Sequence, residues 1–208
     1  MKTLGKITLI SLIICILFGA TGVITLLLSG SSISSVSDLE LRRNFTLNSL
    51  GSYISCGFVS ANDIAVNTVY SIFHAEQFTC RESFNLSPSG GSFQTKELTA
   101  NRSTFEPINA IVDASNVSGS VYVYMTQGDL KLSMKEICGN IDISSNEKGN
   151  VSLFVPRDAQ FNLVKTYQAD SFTSDFATAV ELYKTSNPEY DIDISMTDGG
   201  ALTLSYNN

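Results

Sequence analysis

Apolar and polar residues alternate with a period of two along much of the second half of the chain. Five short units begin with glycine and continue as small or polar, apolar, variable, apolar: Gly119–Val123, Gly128–Leu132, Gly139–Ile143, Gly149–Leu153 and Gly200–Leu204. The first four units follow one another at intervals that fit one short strand and one tight turn each. Alternation places every second side chain on one face, and glycine allows a positive φ at the turn. The pattern therefore predicts short strands that each bury one face.

Further strands are predicted on both sides of these units. Phe161–Val164 and Tyr190–Ile194 continue the alternation without a leading glycine, and the first half contains four more candidates, Tyr53–Val59, Ile64–Phe73, Gly91–Leu98 and Ile108–Ala114. Helical spacing competes only in Phe176–Lys184, where alternation favours a strand. We expect an all-β fold, either an antiparallel sandwich or a short β-solenoid, which follows an N-terminal hydrophobic segment.

The N-terminal segment Ile7–Leu28 is apolar and contains no charged residue. As a helix it would rise about 33 Å, enough to cross a hydrocarbon core of about 30 Å. Lys2 and Lys6 precede it and acidic residues follow it, so the N-terminus should stay cytoplasmic while the rest is exported. We expect the protein at the cell surface or outside the cell.

The segment is either kept as a membrane anchor or removed as a signal peptide. Ala20 and Gly22 are small residues at the spacing that a signal peptidase needs for cleavage after Gly22. The predicted organisation is a signal peptide or anchor in residues 1–28, a Ser/Gly-rich linker in residues 29–45, and an extracellular β domain in residues 46–208.

Cleavage after Gly22 would expose an apolar segment with high β propensity. A hydrophobic strand on a flexible tether can complete the sheet of a neighbouring subunit, which is donor-strand complementation. The alternative is an anchor with a short stalk. The residues that would form the donor strand are Val23, Ile24, Leu26, Leu27 and Leu28.

Sequons for N-glycosylation are frequent in the exported part. An Asn-X-Ser/Thr motif requires its asparagine to face solvent, and a group of such motifs indicates a glycosylated surface protein. The five candidate asparagines are Asn44, Asn85, Asn101, Asn116 and Asn150.

Three cysteines follow the apolar segment, in the part of the chain where oxidising conditions favour disulfides. Cys56 and Cys80 are the preferred pair because they are close in sequence, and a bridge between Cys80 and Cys138 is the main alternative. The third thiol would then be buried or would pair between subunits.

The charge and the scarcity of histidine narrow the chemistry that the chain can support. The chain has 20 acidic against 13 basic residues, which argues against nucleic acid as a partner. His74 is the only histidine and lies in an apolar run without a nucleophile motif, so we predict no catalytic residues, no cofactor and no metal site. Asp191 and Asp193 would share a strand face, where they could bind Ca²⁺ or simply keep that face solvated.

The Gly-Asp/Asn-led units, followed by Gly149–Val155 and then Pro-Arg-Asp-Ala-Gln-Phe, resemble the putative adhesin domains of prokaryotic cell-surface proteins. The resemblance covers residues 115–175 and implies an all-β surface module. More loosely, the exported, sequon-rich chain with an apolar N-terminal strand is similar to archaeal thread-like filament subunits that assemble by donor strands. Neither resemblance implies catalytic residues.

The expected function is therefore structural or adhesive and not enzymatic. We expect a glycosylated, pilus-like filament subunit that self-associates through its N-terminal strand, or contacts other cell-surface components. The alternative is a single-pass membrane-anchored adhesin or ligand-binding ectodomain, which would keep the apolar segment in the membrane.

Overall fold

The computed structural model describes residues 24–29, 33–36, 38–167, 169–176 and 182–207, and these residues form strands, turns and bends. The strands are β1 Ile24–Ser29, β2 Ile33–Val36, β3 Leu39–Glu40, β4 Phe45–Leu50, β5 Tyr53–Phe105, β6 Ile108–Met125, β7 Gln127–Met134, β8 Ile141–Ser145, β9 Gly149–Val155, β10 Phe161–Tyr167, β11 Ser171–Ser174, β12 Leu182–Lys184, β13 Tyr190–Met196 and β14 Gly200–Tyr206. Within the described ranges, no helix is long and apolar enough to span a membrane.

The chain winds into a solenoid in which each turn, or rung, lies on the one before. Phe45 pairs with Ile64 and Ser89 pairs with Ile108, and the sequence separation is the same in both pairs because each pair is joined by one rung. Neighbouring strands run in the same direction throughout the described chain, except where β12 pairs antiparallel with β10. Strand β5 covers 53 residues because it continues through the corners of more than two rungs.

The sheet curls so that each rung contributes to two facing halves. The first part of β6 pairs with β7, whereas its second part pairs with β8. One half of the sheet then continues through β9 and β14 to β11, and the other continues through β13 and β10 to β12. The buried apolar residues of both halves form one continuous core.

The antiparallel sandwich predicted from the sequence is wrong, and the solenoid that was predicted beside it fits the structure. Period-two alternation shows which side chains point inward, but it is the same in parallel and antiparallel strands. From β7 to β11, strands that follow each other in sequence lie in opposite sheet halves, so the unit at Gly128 pairs with the unit at Gly149 and not with the one at Gly139. Gly128 is in register with Gly149, and Gly149 is in register with Gly200.

Glycine is required in these units because adjacent rungs approach closely. Gly128 has a φ of 112°, and a Cβ added there would collide with the carbonyl oxygen of Ala110 in the preceding rung. A Cβ at Gly200 would likewise collide with the carbonyl oxygen of Gly149. The glycines therefore permit both the turn and the contact between rungs.

Inward positions of successive rungs form columns of like residues. Leu130, Val151 and Leu202 are paired in register and buried, and a second column contains Leu132, Leu153 and Leu204. Phenylalanines fill the core of the N-terminal rungs. The ring centroids of Phe73 and Phe93 are 5.5 Å apart, and the angle between the two ring planes is 2°. Such contacts contribute beyond the area that each ring buries.

The last rung in sequence is not the last rung in space. Strand β13 lies between β8 and β10, and β14 lies between β9 and β11. Ile141 therefore pairs with Ile192, which is distant from it in sequence. Strands β10 and β11 therefore precede β13 and β14 in sequence but lie farther along the stack.

Candidate interaction surface

One corner of the solenoid turns through a residue with positive φ in each of four successive rungs. These residues are Gly51, Tyr70, Gly90 and Asn109, with φ values of 61°, 49°, 67° and 48°. Each of them follows the previous one by one rung, and in the third rung Gly91 also has a positive φ, 77°. We call the corner formed by residues 50–53, 69–72, 89–92 and 108–111 the apolar corner.

Large apolar side chains are exposed on the apolar corner. None of its residues is charged, although the chain has a formal net charge of −7. Monomeric proteins commonly expose single apolar residues, but seven such residues on three of four stacked rungs indicate a contact surface. The exposed residues are Leu50, Tyr53, Val69, Tyr70, Ile72, Ile108 and Ile111.

Tyr70 combines backbone strain with unusual exposure. A non-glycine residue in the left-handed region is uncommon, and an aromatic residue there is more costly than asparagine. Its side chain is nevertheless 74% exposed. A Cβ added at Gly90 would lie 2.7 Å from Cδ1 of Tyr70, so the ring rests against the glycine of the next rung. The side chain of Tyr70 is too exposed for its burial to offset the backbone strain. Uncompensated strain of this kind indicates a functional role.

Buried hydroxyl groups hold the backbone beneath the corner. The Oγ atoms of Ser49 and Ser71 are 2.8 Å apart, and Oγ of Ser71 donates to the carbonyl oxygen of Val69 at 3.1 Å. Oγ of Ser71 also accepts the N–H of Ser52 at 3.2 Å. Both Ser49 and Ser71 are buried. The turn is therefore preformed by side chains of two adjacent rungs.

All five sequon asparagines are exposed, as glycosylation would require. Asn44 immediately precedes β4, whereas Leu50 ends it, so about 20 Å of strand separates Asn44 from the apolar corner. Asn101 and Asn116 also lie near the corner opposite the apolar one. Asn85 lies on the flat outer face between the corners, and Asn150 lies at the start of β9.

The structure keeps the three described cysteines as separate thiols, so the predicted bridge between Cys56 and Cys80 is not formed in it. Both thiols are buried, and burial raises the pKa of each to about 12; the carboxylate of Asp63 adds to the shift at Cys80. Cys138 is exposed, and its Sγ accepts the N–H of Gly119 at 3.1 Å. The two buried thiols fill the core as small apolar groups.

The residues predicted to form a donor strand lie mostly in β1. Residues 24–29 pair in parallel with all six residues of β4 in the same chain, including Leu26 with Leu47. Val23 lies outside the described residues, as does most of the predicted apolar segment. The predicted linker contains β2 and β3, which pair with β5.

The acidic residues considered for Ca²⁺ lie on the same exposed face of β13 but have different neighbours on the adjacent strands. Asp193 pairs with Asp142, whereas Asp191 lies opposite Asn162 and accepts its side-chain N–H at 3.1 Å. Burial, then the charges of Asp142 and Asp191, hold the pKa of Asp193 above its usual range. No group of three or more His, Cys, Asp or Glu residues suited to a metal occurs in the part of the chain that the structure describes.

Sequence reasoning missed the apolar corner because it searched for charged and nucleophilic residues. A signal was present: uncharged tetrapeptides recur at nearly equal intervals, namely Leu-Gly-Ser-Tyr, Val-Tyr-Ser-Ile, Ser-Gly-Gly-Ser and Ile-Asn-Ala-Ile. The solenoid stacks these tetrapeptides into one surface. His74, the only histidine, lies beside this surface with its ring 5.8 Å from that of Tyr53.

A comparison with family models finds one match. The model described as Toastrack DUF4097 matches residues 24–201, from the first residue of β1 into β14. The match includes the predicted linker and part of the predicted N-terminal segment. No curated protein and no solved structure matches the chain significantly.

Proposed function

The chain belongs to the Toastrack DUF4097 family of β-structured domains, and we propose that it is a non-enzymatic cell-surface protein with a structural or adhesive role. The observation that carries this proposal is the apolar corner, where seven exposed apolar side chains lie on three of four stacked rungs and no residue is charged. Such a surface suits contact with another macromolecule better than the capture and conversion of a small substrate.

The positions of the sequons support an exported, glycosylated protein. All five asparagines face solvent, and Asn44, Asn101 and Asn116 lie at the other end of the strands from the apolar corner. Glycans at those three positions would lie away from the apolar corner. Asn150 is nearer to it, because Asn150 pairs with Asp129 and Asp129 pairs with Ile111.

The length of the apolar segment favours removal after Gly22 over retention as an anchor. Ile24–Ser29 belongs to the sheet, which leaves only Ile7–Val23 for a spanning helix. As a helix this remainder would rise about 26 Å, which is shorter than a hydrocarbon core of about 30 Å. A signal peptide has no such length requirement.

The proposal is tested on protein made by its producing cells. We expect the mature chain to begin at Val23, to lose mass on enzymatic deglycosylation, and to bind cells or a cell-wall fraction. Binding should fall when Ile72 and Ile111 are both replaced by serine, and should not change in Tyr124→Ser. Tyr124 is a matched control because it is 48% exposed but lies outside the apolar corner. Cytoplasmic, unglycosylated protein would refute the proposal.

A filament assembled by strand exchange is the second candidate, favoured by the position of β1 at the N-terminal end of the stack. Its six register pairs with β4 would be the same if β1 of one copy paired with β4 of another. Exchange therefore preserves the backbone hydrogen bonds within the sheet.

A disulfide between Thr25→Cys and Thr46→Cys tests this candidate, because the two residues pair in register. Strand exchange predicts a ladder of covalent oligomers on a non-reducing gel of assembled protein. A single band of cross-linked monomer would show that β1 stays with its own chain, and would refute the filament by exchange. Thr25→Cys alone is the control.

A further inference from the structure

We infer that the apolar corner joins two copies of this chain in a two-fold symmetric dimer. This inference rests on the proposed function, in which the corner is the contact surface, and it specifies the partner. In such a dimer the same residues of both copies face each other across the symmetry axis.

The exposed area matches what a stable dimer needs. A large side chain exposes about 200 Å² in full, so the exposed fractions of the seven apolar residues amount to about 700 Å². These residues lie on three of the four rungs, and their summed exposed area is close to the upper end of the largest apolar patches of typical monomers, about 300 to 600 Å². If both copies buried the surface, about 1,400 Å² would be removed from water, which is within the range of specific protein interfaces.

The absence of charge on the corner also favours a second copy. The chain is acidic, with a formal net charge of −7, so two copies repel each other over most of their surface. The four segments of the apolar corner include no acidic or basic side chain. Two copies can meet there without bringing like charges together and without burying an unpaired charge.

Tyr70 provides an independent indication that the corner is covered. The equivalent residues in adjacent rungs are Gly51, Gly90 and Asn109, which adopt positive φ at lower cost. Tyr70 accepts the strain although most of its ring contacts solvent. Burial of this ring against a second copy would offset the strain, and exposed aromatic residues often dominate interface energies.

The corner is also preorganised for binding. The hydroxyl contact between Ser49 and Ser71 fixes two adjacent turns, and the N–H of Ser52 binds the same Ser71 hydroxyl. A surface that is ordered before association loses less conformational entropy when the complex forms. A larger part of the free energy gained by burying apolar surface then contributes to the binding affinity.

Sedimentation equilibrium of the full chain in a mild detergent tests the inference. We expect a dimer for the wild-type protein and for Tyr124→Ser. We expect the dimerisation of Tyr70→Asn and of Ile111→Ser to be at least tenfold weaker, which is about the effect of removing one hot-spot residue. Asparagine is chosen at position 70 because Asn109 has the same backbone conformation. Far-ultraviolet circular dichroism and thermal melting of each variant separate dissociation from unfolding.

Two outcomes of the sedimentation experiment would overturn the dimer. One is a wild-type monomer at every concentration, and the other is folded corner variants that dimerise as tightly as the wild type. Binding of neutral phosphatidylcholine vesicles by monomeric wild type, abolished by Ile111→Ser, would also overturn it. In that case the corner would remain a contact surface and the proposed function would stand. Cytoplasmic, unglycosylated protein would refute the proposed function itself.

Discussion

Replacement of Gly128 by alanine, compared with the same change at Gly51, tests the parallel stacking of rungs. Both glycines have positive φ, 112° and 61°, but their surroundings differ. A Cβ at Gly51 meets no atom within 4 Å, whereas a Cβ at Gly128 would collide with the backbone of Ala110. Only at Gly128 does the added methyl group oppose the approach of an adjacent rung.

The expected costs follow from these two environments. Gly51→Ala introduces backbone strain of about 1 to 2 kcal/mol, partly offset because alanine lowers the entropy of the unfolded chain. Gly128→Ala adds strain of about 1 to 3 kcal/mol at a φ outside the left-handed well, and overpacking of about 1 to 3 kcal/mol against the carbonyl of Ala110. We expect free energies of unfolding lowered by about 1 kcal/mol at Gly51 and about 4 kcal/mol at Gly128.

Urea unfolding monitored by far-ultraviolet circular dichroism measures both values. Equal losses, within about 1 kcal/mol, would refute the reasoning, because they would mean that no neighbouring backbone lies against Gly128. In an antiparallel arrangement of the glycine-led units, residue 128 would not lie against Ala110. The comparison therefore tests the fold as well as the energetics.

Three further predictions concern the core, the thiols and the acidic face. Phe93→Ala removes a buried ring that stacks on Phe73, and should lower the free energy of unfolding in urea by about 3 to 5 kcal/mol. The exposed control Tyr124→Ala should lower it by about 0.5 kcal/mol or less. Similar losses for the two variants would contradict the packing. In native protein, peptide mapping after alkylation should find Cys138 modified before Cys56 and Cys80, because burial raises the pKa of both buried thiols to about 12. Burial, then the charges of Asp142 and Asp191, raise the pKa of Asp193, so its ionisation costs stability at neutral pH, and acidification toward its ordinary range restores that stability. Asp193→Asn should therefore raise the urea midpoint at neutral pH and lose this advantage near about pH 4, and an advantage that does not vary with pH would exclude this cause.

The alternation of residues predicted much of the core correctly. Leu130, Leu132, Val151 and Leu153 occupy apolar positions of the glycine-led units, and each is buried in the structure. The prediction succeeds because in any β-strand successive side chains point to opposite faces. It requires no knowledge of which strand lies alongside.

Strand direction and strand order required the tertiary structure. The spacing between the glycine-led units fits both a hairpin and half a solenoid rung, so the sequence left sandwich and solenoid open. The insertion of β13 between β8 and β10 depends on contacts between residues far apart in sequence, such as Ile141 and Ile192. No local pattern encodes such a contact.

The sequence by itself determined that the residues which the structure describes are all-β, which residues of the second half face the core, and that an uncharged apolar segment lies near the N-terminus. These properties depend on the chemical nature of each residue and on the period of the strand. The tertiary structure alone decided that Ile24–Ser29 pairs with β4, and that residues 50–53, 69–72, 89–92 and 108–111 form one surface. Those four segments are about one rung apart in sequence, and only the parallel winding of the chain stacks them.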